Sequence, residues 1–279
     1  SRRIASISRK CCRNTYRRYT LVSSYHNSLT YLPINCIILT EQGLFFGPPR
    51  VSPVILQGWF FLFGGNEMDY YAHIAEDGRR QTVAEHCRKA ASYAAECLSG
   101  VGLSNTAYLA GLMHDTGKLT QEYQIYLERA TRGEAVRRGS VVHTFAGVRF
   151  LLEHYHGLKH ESFNDIPCEL LAFAVGAHHG LFDCIDENHA SGFLHRLQSH
   201  DSEYQEAIKN AEMLLITRDE TNQLFQASCE EMSIIFEKIQ KILDFESSQE
   251  NDLHFYVGLM ARLLLSAVIQ GDRRDTTDL

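Results

Sequence analysis

From residue 68 onward, apolar positions recur every three or four residues, and the pattern breaks at glycines and capping residues. Thr82 and Glu85 have capping-box spacing. They predict a helix carrying Val83, Cys87, Ala90, Ala94 and Leu98 towards a core, with Gly100 and Gly102 as stop signals. Ser104 is placed to cap a second helix through AYLAGLMHD. A third starts near Thr120, a fourth runs through TFAGVRFLLEHY, and a fifth through CELLAFAVGAHH to Gly180. Longer amphipathic stretches cover 200–217, 220–244 and 251–270. No run alternates β-branched residues, no dipeptide such as Asn-Gly joins two such runs, and no internal repeat occurs. The pattern predicts an all-α fold, with residues 68–279 as a single globular domain.

The first 67 residues do not share this pattern. They hold four of the five prolines (Pro33, Pro48, Pro49, Pro53), the only tryptophan (Trp59), and eight basic against two acidic residues. Residues 68–279 carry nineteen basic and thirty-two acidic residues, a net of −13. The longest apolar run, Val54 to Phe63, is about half of what a membrane span needs. It also lies too far along to be a secretory signal. One reading is a basic arm that touches nucleic acid. The reading preferred is that 1–67 is an irregular extension translated from upstream of a start at Met68, without a compact fold. Eight cysteines in 279 residues with no CxxC spacing argue for reduced thiols and a cytoplasmic protein.

The residue type in excess is histidine, at fourteen. Five places supply metal-ligand types: His86 on the first predicted helix, His114-Asp115 in GLMHDTGK, His143 before TFAGVRF, His178-His179 after ELLAFAVGA, and Asp272 in QGDRRDT. Each alone has an ordinary explanation: a partly buried helix histidine, a helix-end carboxylate, an exposed C-terminal acid. Two adjacent imidazoles at the end of an apolar helix are harder to dismiss, because buried polar groups need partners. Imidazole and carboxylate donors without thiolate suit Mn²⁺, Fe²⁺, Co²⁺ or Ni²⁺ better than Mg²⁺, which prefers oxygen shells. Cys87, beside His86, reads as core.

The order His, His-Asp, His, His-His, Asp on an all-α chain resembles the HD metal-hydrolase superfamily. The sequences GLMHDTGK, VVHTFAG, AVGAHHGLFD and GDRRDT resemble more closely the HD nuclease domain of the signature helicase–nuclease of type I CRISPR systems. The resemblance covers about residues 70–279 and not 1–67. It implies two adjacent divalent ions, one held by His86, His114, Asp115 and Asp272, the other by His143, His178 and His179, with Asp115 as the bridge. It also implies a catalytic part for Asp115 and Lys118, with Lys118 near the phosphate, and matches His73 to a histidine near the site. Where the family often has an acid two residues before the last Asp, this chain has Gln270.

The resemblance further implies hydrolysis of single-stranded DNA in antiviral CRISPR interference. The partners would be a superfamily 2 helicase module, fused or separate, and a CRISPR RNA-guided surveillance complex. No helicase motif occurs in the chain, so the expectation is a stand-alone nuclease subunit or a piece cut before its helicase. At −13 the folded part has no broad electrostatic footprint for DNA. Local basic groups remain at Arg79-Arg80, Arg129 with Arg132, Arg137-Arg138 and Arg273-Arg274, of which Arg137 and Arg138 are the candidate DNA contacts. Two other readings stay open. One is an HD phosphohydrolase acting on small nucleotides, which would need a closed pocket with base-stacking aromatics. The other is a non-catalytic interaction module, which predicts no bound metal.

Overall fold

The computed structural model describes residues 69–278, apart from 76, 138–139, 158–164, 182–195, 198–200 and 246–249. The expected N-terminal extension, Met68 and the candidate DNA contact Arg138 lie outside the described residues. The described residues form an all-α fold of eight helices with one short hairpin. The hairpin is β1 (Tyr71–Ile74) and β2 (Arg80–Thr82). The helices are α1 (Val83–Leu98), α2 (Ser104–Met113), α3 (Gln121–Thr131), α4 (Phe145–Tyr155), α5 (Asp165–Ala177), α6 (Asp201–Leu214), α7 (Arg218–Phe245) and α8 (Glu250–Asp278).

α1 begins where the sequence places it. Thr82 Oγ1 accepts from the Glu85 backbone N–H, and the Glu85 carboxylate accepts from the Thr82 backbone N–H, which satisfies two otherwise orphaned donors. Thr120 caps α3 through the Tyr123 N–H, and Thr217 with Glu220 makes a second capping box at α7. Ser104 does not cap α2. It is the first helical residue, and its hydroxyl donates to Ala95 O. The α2 N–H groups of Asn105 and Thr106 are instead taken by the carboxylate of Glu231 on α7, at 2.8 and 2.9 Å. A negative group at a helix N-terminus is also favoured by the helix dipole.

α2 is the axis of the molecule. Seven of its ten residues, Thr106, Ala107, Leu109, Ala110, Gly111, Leu112 and Met113, are buried. α1, α7, α8 and α5 pack around it, and α8 lies along α1. One connected apolar core runs from Tyr70 to Val268. Small residues let the helix backbones approach. A Cβ on Gly111 would lie 2.5 Å from Ala91 Cα on α1, and one on Gly271 of α8 would overlap Ala90 O. The Gly271 approach explains why α8 does not end near residue 270 as its periodicity suggested: the glycine seats the helix on α1, and the chain stays helical to Asp278. The stretch Leu253–Thr277 is long and apolar enough to cross a membrane by composition alone. Here it sends Met260, Ala261, Leu264, Ala267 and Val268 into the core.

The hairpin was not expected. Its strands are short and carry one β-branched residue each, Ile74 and Thr82, so they give no alternating signal. Its turn contains Asp77-Gly78, with Gly78 at φ 87° and its N–H donating to Ala75 O. The strands pair antiparallel with His73 opposite Gln81.

Candidate metal centre

The ends of α2 and α5, the C-terminal part of α8 and the first turn of α1 converge on one point. His86 comes from α1. His114 is the C-cap of α2, followed by Asp115 and the single 3₁₀ turn Thr116–Lys118. His143 stands two residues before α4, His178 and His179 follow α5, and Asp272 lies on α8. The seven predicted ligand residues thus come together from five places in the chain. They fall into two groups that share Asp115: His86, His114, Asp115 and Asp272, and Asp115, His143, His178 and His179. In each group the donor atoms all lie within 4.8 Å of one another.

Asp115 divides its oxygens between the groups. Its Oδ2 lies 3.2 Å from His86 Nε2 and 3.3 Å from His114 Nε2. Its Oδ1 lies 3.6 Å from both His143 Nε2 and His178 Nε2. Asp272 Oδ1 is 3.3 Å from His86 Nε2, and His143 Nε2 is 2.8 Å from His179 Nε2.

Hydrogen bonds on the far side of three rings decide what faces inward. Nδ1 of His114 lies 2.6 Å from Gly111 O, Nδ1 of His178 lies 2.7 Å from Val175 O, and Nδ1 of His86 lies 2.7 Å from Asp275 Oδ2. Carbonyls and carboxylates only accept, so each Nδ1 carries the proton and donates it. In the neutral ring each Nε2 is therefore a bare lone pair, and it points at carboxylate oxygens that are also acceptors. Asp115 Oδ1 and His178 Nε2 are buried without a hydrogen-bond partner. A buried convergence of acceptors is unfavourable unless protons or cations fill it. The donor set therefore fits divalent metal.

The charges of the metal-free centre lead to the same conclusion. Burial disfavours a charged His86, but contacts with Asp115, Asp272 and Asp275 outweigh it and push its pKa up to about 10. His114 is raised despite burial, by Asp115 and then Asp272. Burial would raise the pKa values of Asp115 and Asp272, yet their cationic neighbours hold both below the usual carboxylate range. Without metal, protons take the place of ions in this group. The other group behaves differently: burial brings His143 down to about 3 and His179 down to about 4, so both rings are neutral at pH 7.

Lys118 is not a solvated turn residue. It is 4% exposed, its Nζ is 2.7 Å from Asp115 Oδ2, and it lies over the Tyr123 ring. Tyr123 is buried and its ring also meets the edge of His143. His73 packs edge-on against His86 at 4.6 Å between ring centroids, with a buried and unpartnered Nε2. Burial lowers its pKa to about 4. Arg137 is exposed on the segment between α3 and α4 and does not belong to the cluster. Cys87 is buried in the core, as expected. The residues that sequence reasoning missed are Asp275, which holds His86 from behind, and Gln81, which donates to Asp275. The signal for Asp275 was its place three residues after Asp272, on the same helix face.

Residues 83–215 match the family model of the HD domain. That span contains six of the seven converging residues; Asp272 is added from outside it by α8. An HD domain implies a metal-dependent phosphohydrolase or nuclease. No curated protein matches the chain.

Proposed function

We propose, from the HD domain at residues 83–215 and the seven residues gathered around Asp115, that this protein is a two-metal nuclease cutting single-stranded DNA in type I CRISPR interference. The observation that carries this reading is the second group. His143, His178 and His179 add three imidazoles on the Oδ1 side of Asp115, beyond the His, His-Asp and Asp that the first group uses. The His-His-Gly and Asp-Arg-x-Asp-Thr elements, here His178 to Gly180 and Asp272 to Thr276, are those through which the chain resembles the CRISPR-associated nuclease domain.

Divalent ions held there would supply Lewis acidity: a nucleophile available at neutral pH and positive charge against the phosphate oxygens. The chain's own residues do the rest. His86 and His114 form a buried grip closed by the half-buried Asp272, with Asp115 between the two sets. Of the second set, His179 is exposed and marks the accessible side, with the half-buried His143 beside it. A phosphodiester would enter from that side. Lys118, anchored on Asp115, brings a fixed positive charge to the bridge. Its pKa is raised by Asp115 against the pull of burial, so it stays charged and does not shuttle protons at neutral pH.

DNA affinity is expected to be weak without a partner. Four of the eight local arginines are paired within the chain: Arg79 with Asp77, Arg129 with Glu134, Arg132 with Glu128 and Arg274 with Glu96. A cytoplasmic helicase module that delivers single strands, recruited by an RNA-guided complex, would supply what the surface lacks.

The test is chelator-stripped protein reloaded with Mn²⁺, Co²⁺ or Ni²⁺ and assayed on linear single-stranded DNA and on a nucleotide panel. The proposal expects cleavage of DNA, no turnover of nucleotides, and two metals per chain by elemental analysis. Nucleotide hydrolysis without DNA cleavage would make the protein a nucleotide phosphohydrolase. Absence of bound metal would remove the enzymatic reading.

A further inference from the structure

His86 is held differently from the other two buried histidines. His114 and His178 each stand just beyond a helix, and each donates Nδ1–H to the carbonyl three residues back. Those carbonyls are spare because the last turn of a helix leaves its acceptors unused. His86 has no such option. It sits in the first turn of α1, where the carbonyls before it serve the helix that follows. Its ring partner comes from 189 residues away: Asp275 Oδ2, at 2.7 Å. The same oxygen accepts Nε2–H of Gln81 on β2 at 2.8 Å. Asp275 is 0% exposed, and its other oxygen has no hydrogen-bond partner, with Lys89 Nζ at 3.9 Å. Asp275 lies one turn of α8 beyond Asp272, so one helix face presents both the carboxylate in front of His86 and the carboxylate behind it.

We propose that Asp275 is a positioning residue of the metal centre: with Gln81 it locks His86 in the tautomer whose Nε2 faces the ion and makes that nitrogen a stronger donor. A carboxylate behind a ligating imidazole fixes the ring and increases its basicity, and losing one costs metal affinity about 10- to 100-fold. The effect falls on the group containing His86 and not on His143, His178 and His179. The proposal rests on the metal reading of this site, and its test keeps the two apart.

The full chain is stripped with chelator and titrated with Mn²⁺ by calorimetry, as wild type, Asp275→Ala and Asp275→Asn. Imidazole nitrogen NMR of the stripped proteins reads the His86 tautomer. Asp275→Ala is expected to weaken one of two Mn²⁺ affinities towards 100-fold, leave the other within threefold, and release the His86 tautomer. Asp275→Asn keeps the shape and a carbonyl acceptor but loses the charge. It is expected to keep the tautomer and weaken the same affinity about tenfold. A purely structural role predicts lower thermal stability with both affinities moved alike. If Asp275→Ala does not fold, Asp275→Asn decides: Mn²⁺ affinity within threefold of wild type overturns the proposal. Wild type that takes up two ions, with variants that match it, removes only Asp275 from the centre. Wild type that takes up none removes the metal reading and this proposal with it.

Discussion

His86 and His114 are fully buried, on α1 and at the C-cap of α2, whereas His143 and His179 reach solvent and sit on connecting segments. The deep group gets its geometry from helix spacing. α1, α2 and α8 approach through Gly111 and Gly271, and each buried ring is pinned by a hydrogen bond behind it. The shallow group gets its geometry from a turn: the His143 carbonyl lies against Gly117, so closely that a Cβ there would overlap it. The first arrangement favours permanence and the second favours access, which is the usual division between a scaffold and the loops it carries. An ion in the deep group should be the more tightly kept.

Asp115 belongs to both groups, so its loss should erase the difference. Asp115→Ala is expected to lose both metals and all cleavage. In stripped protein it should also cost about 3–5 kcal/mol, because Lys118 is left as a buried unpaired charge. Elemental analysis and thermal unfolding check this; retention of one metal would show that the groups are independent.

Lys118→Ala should separate chemistry from metal binding. Metal content is expected to stay near normal, while cleavage of single-stranded DNA falls by about 2–4 kcal/mol, or roughly 30- to 1000-fold. Loss of metal on the same preparation would make Lys118 a structural partner of Asp115 only.

The glycines address each group alone. Gly111→Ala or Gly271→Ala pushes α1 away from α2 or α8, overpacking worth about 1–3 kcal/mol or more, and should weaken the deep ion. Gly117→Ala should displace His143 and weaken the shallow ion instead. Mn²⁺ titrations that show the same ion affected in all three would break the comparison.

The smallest effect is in protons. At pH 7 the stripped deep group holds a charged His86, so metal uptake there should release about one proton or more. His143 and His179 of the shallow group are already neutral and should release none. Calorimetry in buffers of different ionisation enthalpy measures both. By the same linkage, the raised pKa of His86 stabilises the stripped fold fully below about pH 6.5, and that contribution is lost as pH rises through about 10. Bound metal should flatten this dependence.

The chain alone determined what depends on near neighbours. The Thr82–Glu85 box, the Thr120 cap and the ends of α4 and α5 are written within four residues of themselves, so helical class and most boundaries were legible. The ligand residues were legible as a set because His114-Asp115 and His178-His179 are adjacent pairs and the remaining three appear in a recognisable order. What the tertiary structure decided spans long separations. Glu231 replaces Ser104 at the start of α2 across 126 residues, Gln81 meets Asp275 across 194, and the hairpin places His73 beside His86 although its strands carry no periodic signal. Lys118 is buried on Asp115 because α2 ends inside the bundle, and α8 runs through Gly271 because Ala90 needs the space. Local spacing fixes which helices form. The partner of a buried polar group depends on which distant backbone comes within hydrogen-bond reach, and only the packed core sets that.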